Sequence, residues 1–393
     1  VSEGRLRVIH VLPHVAAGGA TLLAMELAQR LDPSRYDVKV AVGPEDEGEG
    51  SLLEEMRERG INVIVMPHMR RAPKAIMDAR AVLELGRTFH AERPHIVHTH
   101  GSKSKLLTPL ASAFGPVPVR IAHIWGWEWM AARDFPRRWA YEWEARMTAQ
   151  GYDALIACSE AMRDQGLTRG VGVPRQYEVV LPSLDLARFT PDGREQARRE
   201  VRAEFGLPLE APLVISVMRL AKQKSPEILL GAAVLLSALM PKLRWLIVGG
   251  GPEEERVRAM VDRLDLTEQV VLAGPRRDVP RLLKAADIFA MSSTWEPFGI
   301  AYVEASAVGL PVVGVRVDGA PEAVLHGETG LLVEPRHPTR LAIAIARIAS
   351  DPAFASRLGE AGIRHAQQFG HERFVRRVEA IYEQLIAENV RAG

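Results

Sequence analysis

The feature that most constrains this chain is an alternation: apolar runs of strand length are followed by amphipathic stretches of helix length, with no hairpin turns between them. The runs 5–12, 36–42, 61–66, 95–98, 117–124 and 154–158 are expected as strands, and 19–31, 51–59, 74–92, 103–114, 136–150 and 160–167 as the helices between them. After a linker-like stretch, 182–193, a second series begins. Its expected strands are 213–217, 243–248, 270–273, 287–291, 311–315 and 330–333, alternating with helices 225–239, 253–264, 279–285, 301–308 and 339–349. Repeated β-α order implies parallel sheets with helices on both faces, and ligands bound off the C-terminal strand ends. The fold class is therefore α/β, with two doubly wound Rossmann-like domains and a last amphipathic stretch at 372–388.

At 393 residues the chain is long enough to bury a sizeable core in each of two domains. Its 47% hydrophobic and 25% charged residues are ordinary for a water-soluble protein. A formal net charge of +1 gives no overall attraction to nucleic acid, which is not expected as a partner. A single cysteine, Cys158, rules out an internal disulfide framework and a cysteine-based zinc site, and suits a reducing cytoplasm. Leu6–Leu12 is too short for a signal core followed by a cleavage site, and no stretch nears the ~20 apolar residues of a membrane span. A cytoplasmic chain, at most attached to a membrane surface, is the expectation.

The chemistry concentrates in Ser292-Ser293-Thr294-Trp295-Glu296-Pro297-Phe298-Gly299-Ile300-Ala301-Tyr302-Val303-Glu304-Ala305, between two buried strands. Glu296 falls on the loop and Glu304 inside the following helix. The helix start offers free N–H groups suited to a phosphate, while the acids can accept from sugar hydroxyls. The pattern fits a sugar nucleotide; a surface acid before an amphipathic helix is the competing reading. Arg219 and Lys224, at the C-terminal edge of the same sheet, suit a diphosphate, against a reading as solvated cations. Gly249-Gly250-Gly251-Pro252 leads into Glu253-Glu254-Glu255, which would repel a pyrophosphate, and it lacks Gly-x-Gly-x-x-Gly, so a nicotinamide cofactor is not expected there.

In the first domain, Gly18-Gly19 follows His14 in the turn after the first strand, where backbone can approach a ligand closely. His98-Thr99-His100-Gly101-Ser102 ends another strand. His14, His98 and His100 sit on separate strand ends with no carboxylate pattern, so no metal site is expected. Five of the seven tryptophans crowd into 125–143: Trp125, Trp127, Trp129, Trp139 and Trp143. Such a cluster suits a membrane interface or a sugar ring. Yet arginines and acids between 125 and 147 balance at four each, which gives no polybasic attraction. Trp139 and Trp143 are expected in the helix core, Trp125 and Trp127 along the binding cleft.

Glu296 and Glu304, with Phe298-Gly299 after the first acid, resemble the signature of the retaining GT-B glycosyltransferases of family four, the group 1 glycosyl transferases. The resemblance covers nearly the whole chain and implies two Rossmann-like domains facing across a cleft. It places an acceptor-side domain at 1–185, a nucleotide-sugar donor domain at 186–370, and a terminal helix, 371–393, that crosses back to the first. By position it gives Glu296 the catalytic contact to the donor sugar, Glu304 the ribose, Phe298-Gly299-Ile300 the phosphate-facing turn, and Arg219 and Lys224 the diphosphate. Gly274-Pro275-Arg276 matches the nucleobase loop, Gly18-Gly19 the turn beside diphosphate and acceptor, and His100 and Ser102 an acceptor-side loop. Departures are Met218 and Ser225 where the family has glycines flanking Arg219 and Lys224. Trp125 replaces a histidine that faces the donor sugar.

The resemblance implies a retaining, metal-independent hexosyltransferase moving sugar from a nucleotide donor, UDP-linked, to a hydroxyl acceptor that is a sugar, lipid-linked or a small molecule. No cofactor is implied. A peripheral membrane contact through the N-terminal domain is a further partner to consider. The rivals are a nucleotide-sugar epimerase of the same architecture and a donor-binding protein that has lost turnover.

Overall fold

The computed structural model describes residues 4–15, 19–44, 52–70, 74–132 and 134–392. The chain divides into two compact units, Val1–Pro182 with His371–Gly393, and Ser183–Gly370.

The first unit holds a seven-stranded parallel sheet: β1 (Leu6–Leu12), β2 (Tyr36–Val42), β3 (Asn62–Val65), β4 (Ile96–His100), β5 (Val119–Ile124), β6 (Ala154–Ala157) and β7 (Tyr177–Val179), ordered β3-β2-β1-β4-β5-β6-β7. Side-chain alternation divides its core. Ile9, Val11 and Val97 face the helix Ala75–Glu92 through Ala81, Leu85 and Phe89. Val8, Ile96, Val119 and Ile121 face the other way, where Phe374, Val375, Val378, Ile381 and Tyr382 of the terminal helix His371–Ala392 cover them. Two features depart from the expectation: β4 runs on to His100, and β7 was not foreseen. Glu178 interrupts the short apolar run of β7, a cost that an edge strand bonded only to β6 tolerates.

The second unit holds a six-stranded parallel sheet: β8 (Leu213–Val217), β9 (Arg244–Val248), β10 (Val270–Gly274), β11 (Ile288–Ala290), β12 (Val312–Val315) and β13 (Gly330–Val333), ordered β10-β9-β8-β11-β12-β13. Two helices absent from the sequence reading, Arg194–Glu204 and Pro352–Ala366, pack on this unit. The first carries Arg202, fully buried, which donates to Asp287 at 2.9 Å and to the carbonyl of Pro208 at 2.7 Å. The strand order reverses between β8 and β11, which opens a crevice at their C-terminal ends. The loops bearing Arg219, Lys224 and Glu296 emerge there.

Candidate active site

At the crevice of the second unit, β8 runs into Met218 and Leu220, which are buried, and Arg219, which is exposed. The glycine turn after β9 lies against this segment backbone to backbone: Leu220 N–H donates to Gly250 O at 2.9 Å. A Cβ on Gly249 would sit 1.9 Å from Met218 O, so the turn needs glycine for close approach. The chain then makes a short turn, Lys222–Lys224, and enters the helix Pro226–Leu239 through Ser225 at φ 45°, ψ 56°. That left-handed conformation explains why glycine suits this place. Ser225→Gly should therefore raise the melting stability by about 0.5–1 kcal/mol, read by thermal unfolding.

The loop after β11 is stitched to this turn. Ser292 Oγ donates to the carbonyls of Lys224 and Ser225, each at 2.9 Å, and Thr294 Oγ1 donates to Gln223 O at 2.9 Å. The stitching brings Glu296 onto Lys224, and the two side chains form an ion pair with both partners largely buried. Ser293 Oγ donates to the same carboxylate oxygen at 2.9 Å. Glu296 is also fixed through its backbone, its N–H donating to Asp318 Oδ2 at 2.9 Å and its carbonyl accepting from Gly319 N–H at 3.0 Å. Three strand-end loops, following β8, β11 and β12, thus converge on one residue, the first two on its carboxylate and the third on its backbone. Neither Ser293 nor Asp318 was foreseen; Asp318, at φ 42°, lies 22 residues further along the chain, with only an Asp-Gly turn to mark it.

Beyond Glu296, Phe298 is buried with its ring centroid 5.4 Å from that of Phe369, and Gly299 at φ 98° turns the chain into the helix Ile300–Ala307. Glu304 is the fifth residue of that helix. It lies deep in the unit yet keeps part of its surface open, and burial pushes its carboxyl up to about 7 against the opposing pull of Arg188. The structure gathers Arg219, Lys224, Glu296, Phe298, Gly299, Ile300 and Glu304 around one sheet edge. Arg276 is committed elsewhere. Its guanidinium pairs with Asp278 at 2.8 Å and Glu204 at 2.6 Å and stands over Phe205.

In the first unit, His14 is half-buried, Gly19 opens the helix Gly19–Arg30, and Gly18 lies outside the described residues. Ser102 is exposed and donates to Glu128. Burial alone would raise the Glu128 carboxyl, but Lys105, at 3.0 Å, and Ser102 together hold it below the usual range. His100 turns inward, contrary to its expected place on an acceptor loop. Register pairs His10 with His98 and His100 with His123, so the four rings form a patch on one sheet face, completely or almost completely buried. Tyr382 hydroxyl lies 2.7 Å from His98 Nδ1, and His10 Nδ1 and His100 Nε2 share a hydrogen bond of 2.9 Å. His10 Nε2, His98 Nε2, His100 Nδ1 and both His123 nitrogens have no partner.

His10, His98 and His100 bring ligand atoms within 4.8 Å of one another, a juxtaposition that the sequence reading of separate strand ends missed. Their rings are stacked or tilted by 22–37°, so lone pairs in the ring planes run side by side more than they converge. Burial pushes His10 and His123 down to about 3 and holds His98 and His100 well below the ordinary histidine value, with the neighbouring rings adding repulsion. All four are neutral imidazoles at physiological pH. Trp125 is half-buried and stacks on His123 with centroids 3.7 Å apart. Trp127 is buried, donates to Met162 O at 2.8 Å, and lines a small pocket with Lys105, Glu128 and Tyr152. Trp139 and Trp143 reverse their expected burial and are 55% and 52% exposed.

Two parallel-sheet Rossmann-like domains with a site at a strand-order reversal define the GT-B class, and comparison with known proteins specifies it. The family model for glycosyl transferase 4-like domains matches residues 18–183, and that for glycosyl transferases group 1 matches 197–365. The chain belongs to the group 1 glycosyltransferases of family four. A D-inositol 3-phosphate glycosyltransferase of Corynebacterium efficiens is 36% identical over 228 residues, 56% of this chain and 54% of that protein. The chain thus spans about half the length of the first curated relatives it matches. One from Salinispora arenicola is 27% identical over 94% of this chain and 88% of its own. Among solved structures, Anabaena HepE in complex with UDP and glucose aligns with a TM-score of 0.83 at 21% identity, over 97% of this chain and all of its own. Sucrose-phosphate synthase from Thermosynechococcus elongatus aligns with a TM-score of 0.82 at 23% identity, over 98% and 100%.

Proposed function

We propose that this chain is a retaining hexosyltransferase that moves sugar from a UDP-sugar to a hydroxyl acceptor, with the second unit holding the donor and the first unit the acceptor. The observation that carries the reading is the Glu296–Lys224 pair beside the start of the helix Ile300–Ala307, with Glu304 further along the same helix. Loss of a diphosphate leaves negative charge that must be stabilised where it develops. Arg219, Lys224 and the free N–H groups of the helix start supply that stabilisation without a metal. Glu296 contacts the sugar, and Glu304 accepts from the ribose. UDP in the HepE complex supports a uridine donor, and the inositol-phosphate relatives support a phosphorylated polyol among the acceptors to try.

The test is incubation with UDP-sugars in EDTA, first alone and then with D-inositol 3-phosphate and simple glycosides. A glycoside of retained anomeric configuration, with release of UDP, is the expected product. Epimerised donor would instead identify an epimerase. Binding without product would favour lost turnover, the reading motivated by Trp125 in the place of the family histidine. Turnover abolished by EDTA and restored by magnesium or manganese would refute metal independence.

Glu304 sets a further expectation. A carboxylate accepts from two ribose hydroxyls, whereas a protonated acid gives up part of that capacity. With its carboxyl at about 7, UDP affinity should rise as pH increases from 6 to 8, by up to about tenfold per unit on the acid side. Glu304→Gln should flatten this profile when titrated by calorimetry. A profile that stays unchanged in the variant would remove Glu304 from the ribose.

A further inference from the structure

We propose that Ser293 and Asp318 are positioning residues: they hold the Glu296 carboxylate on the donor sugar once Lys224 has turned from it to the diphosphate. The inference rests on the roles proposed for Glu296 and Lys224. In the free protein Glu296 is 6% exposed, and its Oε2 takes both the Lys224 ammonium and the Ser293 hydroxyl, the latter at 2.9 Å. Both donors fall on one oxygen, which leaves Oε1 for a sugar hydroxyl. Drawing Lys224 to a diphosphate strips this buried carboxylate of its counter-charge and brings further negative charge beside it. Repulsion then pushes the side chain off its position, and the push is strong where water is excluded. Something other than Lys224 must keep the acid in place when the donor is bound.

The structure supplies that hold from two directions. Ser293 is fully buried, and its hydroxyl stays on Oε2 after the lysine has left. The backbone of Glu296 is gripped on both sides: its N–H donates to Asp318 Oδ2 at 2.9 Å, and its carbonyl accepts from Gly319 N–H at 3.0 Å. Pro297, the next residue, further confines Glu296 to extended backbone. Asp318 itself stands in the left-handed region at φ 42°, which a residue bearing a Cβ adopts at a cost. Such conformations persist where the surroundings impose them, and they gather at functional sites. Here the strained residue and its neighbour grip the two peptide groups that aim one acid. None of these contacts involves a group assigned to the diphosphate, so the hold survives donor binding.

The experiment compares full-chain variants with UDP-glucose, UDP-galactose and UDP-N-acetylglucosamine, following UDP release to an acceptor or, without one, to water. Asp318→Gly keeps the left-handed backbone while removing the carboxylate, and Ser293→Ala removes the hydroxyl. Each should lower kcat by about 10- to 100-fold, the scale of a misplaced reacting group, with donor KM and free UDP affinity within about twofold of the parent. Asp318→Asn tolerates the same backbone and can accept the same N–H, so kcat should return to within about threefold of the parent. In a Glu296→Gln background neither substitution should cost more than about twofold further, because the group they aim is gone. The affinity gained between UDP and a UDP-sugar, read by calorimetry, should shrink in the same two variants, a measurement that needs no turnover. Parent-like kcat and parent-like UDP-sugar affinity in both variants would overturn the inference. So would a fall in UDP affinity that matches the fall in kcat, or losses that multiply with that of Glu296→Gln. Full turnover by Glu296→Gln alone would instead refute the sugar contact of Glu296, and this inference with it.

Discussion

Acidification from pH 7 to 5 should unfold the first unit before the second. His10, His98, His100 and His123 all have folded pKa values below the unfolded value, His10 and His123 at about 3. Between roughly pH 6.5 and 3 the unfolded chain therefore binds up to four more protons at these sites than the folded one, and stability rises with pH across that window. Their contribution is complete above the unfolded value and is lost as pH falls below it. Each proton is worth about 1.4 kcal/mol per pH unit, so four together cost about 4–5 kcal/mol between pH 6 and 5. That is comparable to the whole stability of an ordinary domain, about 5–15 kcal/mol. Denaturant titrations at successive pH values, followed by hydrogen exchange of β1, β4 and β5, measure it. His123→Leu removes one titrating ring and should reduce the slope by about a quarter. A slope near zero between pH 6 and 5 would mean that the patch accepts protons while folded.

The second large effect is expected at Glu296, with opposite signs for two ligands. In the free protein its carboxylate already occupies Lys224, so a diphosphate must compete with an internal partner for that lysine. Glu296→Gln removes the competitor, and free UDP should bind as tightly as before or more tightly. Turnover should respond in the other direction. Positive charge grows at the anomeric carbon as the diphosphate leaves, and a carboxylate beside it acts most strongly in the transition state. A loss of about 10²–10³ in kcat is expected, in contrast to a variant whose lost contact is uniform and raises KM alone. Calorimetry with UDP and initial rates with a UDP-sugar separate the two. Weaker UDP binding with unchanged kcat would show that Glu296 serves the diphosphate and not the sugar.

The strands of the second unit were legible because they are buried on both faces and read as unbroken apolar runs; β8 and β13 begin and end where expected. The helix Arg194–Glu204 was missed because its register depends on Arg202, a charge that reads as solvent-facing and is instead buried against Asp287, 85 residues away. The same blindness applies to the histidines of β4. Polar residues at a strand end suggest a loop, and only the terminal helix, contributing Tyr382 some 284 positions after His98, turns that end into an interior. At the site, spacing across one loop and the helix that follows it showed Glu296 and Glu304 together. The pairing of Glu296 with Lys224 spans 72 residues and follows from strand order, which no local pattern encodes. Trp139 and Trp143 mislead in the opposite sense: hydrophobicity predicts burial, and here the helix buries its alanines.

The first unit is assembled from both ends of the chain, with the whole second unit between Ser183 and Gly370 interposed. On the ribosome, its seven strands emerge before the second unit, but the helix that seals Val8, Ile96 and Ile121 is made only after it. At ordinary synthesis rates the intervening segment takes roughly ten to forty seconds to appear. During that interval one face of the nascent sheet lacks its cover while the later-made unit, continuous in sequence, has everything it needs to close. The order of completion is thus the reverse of the order of synthesis, and a chain released early, anywhere before His371, would leave its oldest half unfinished.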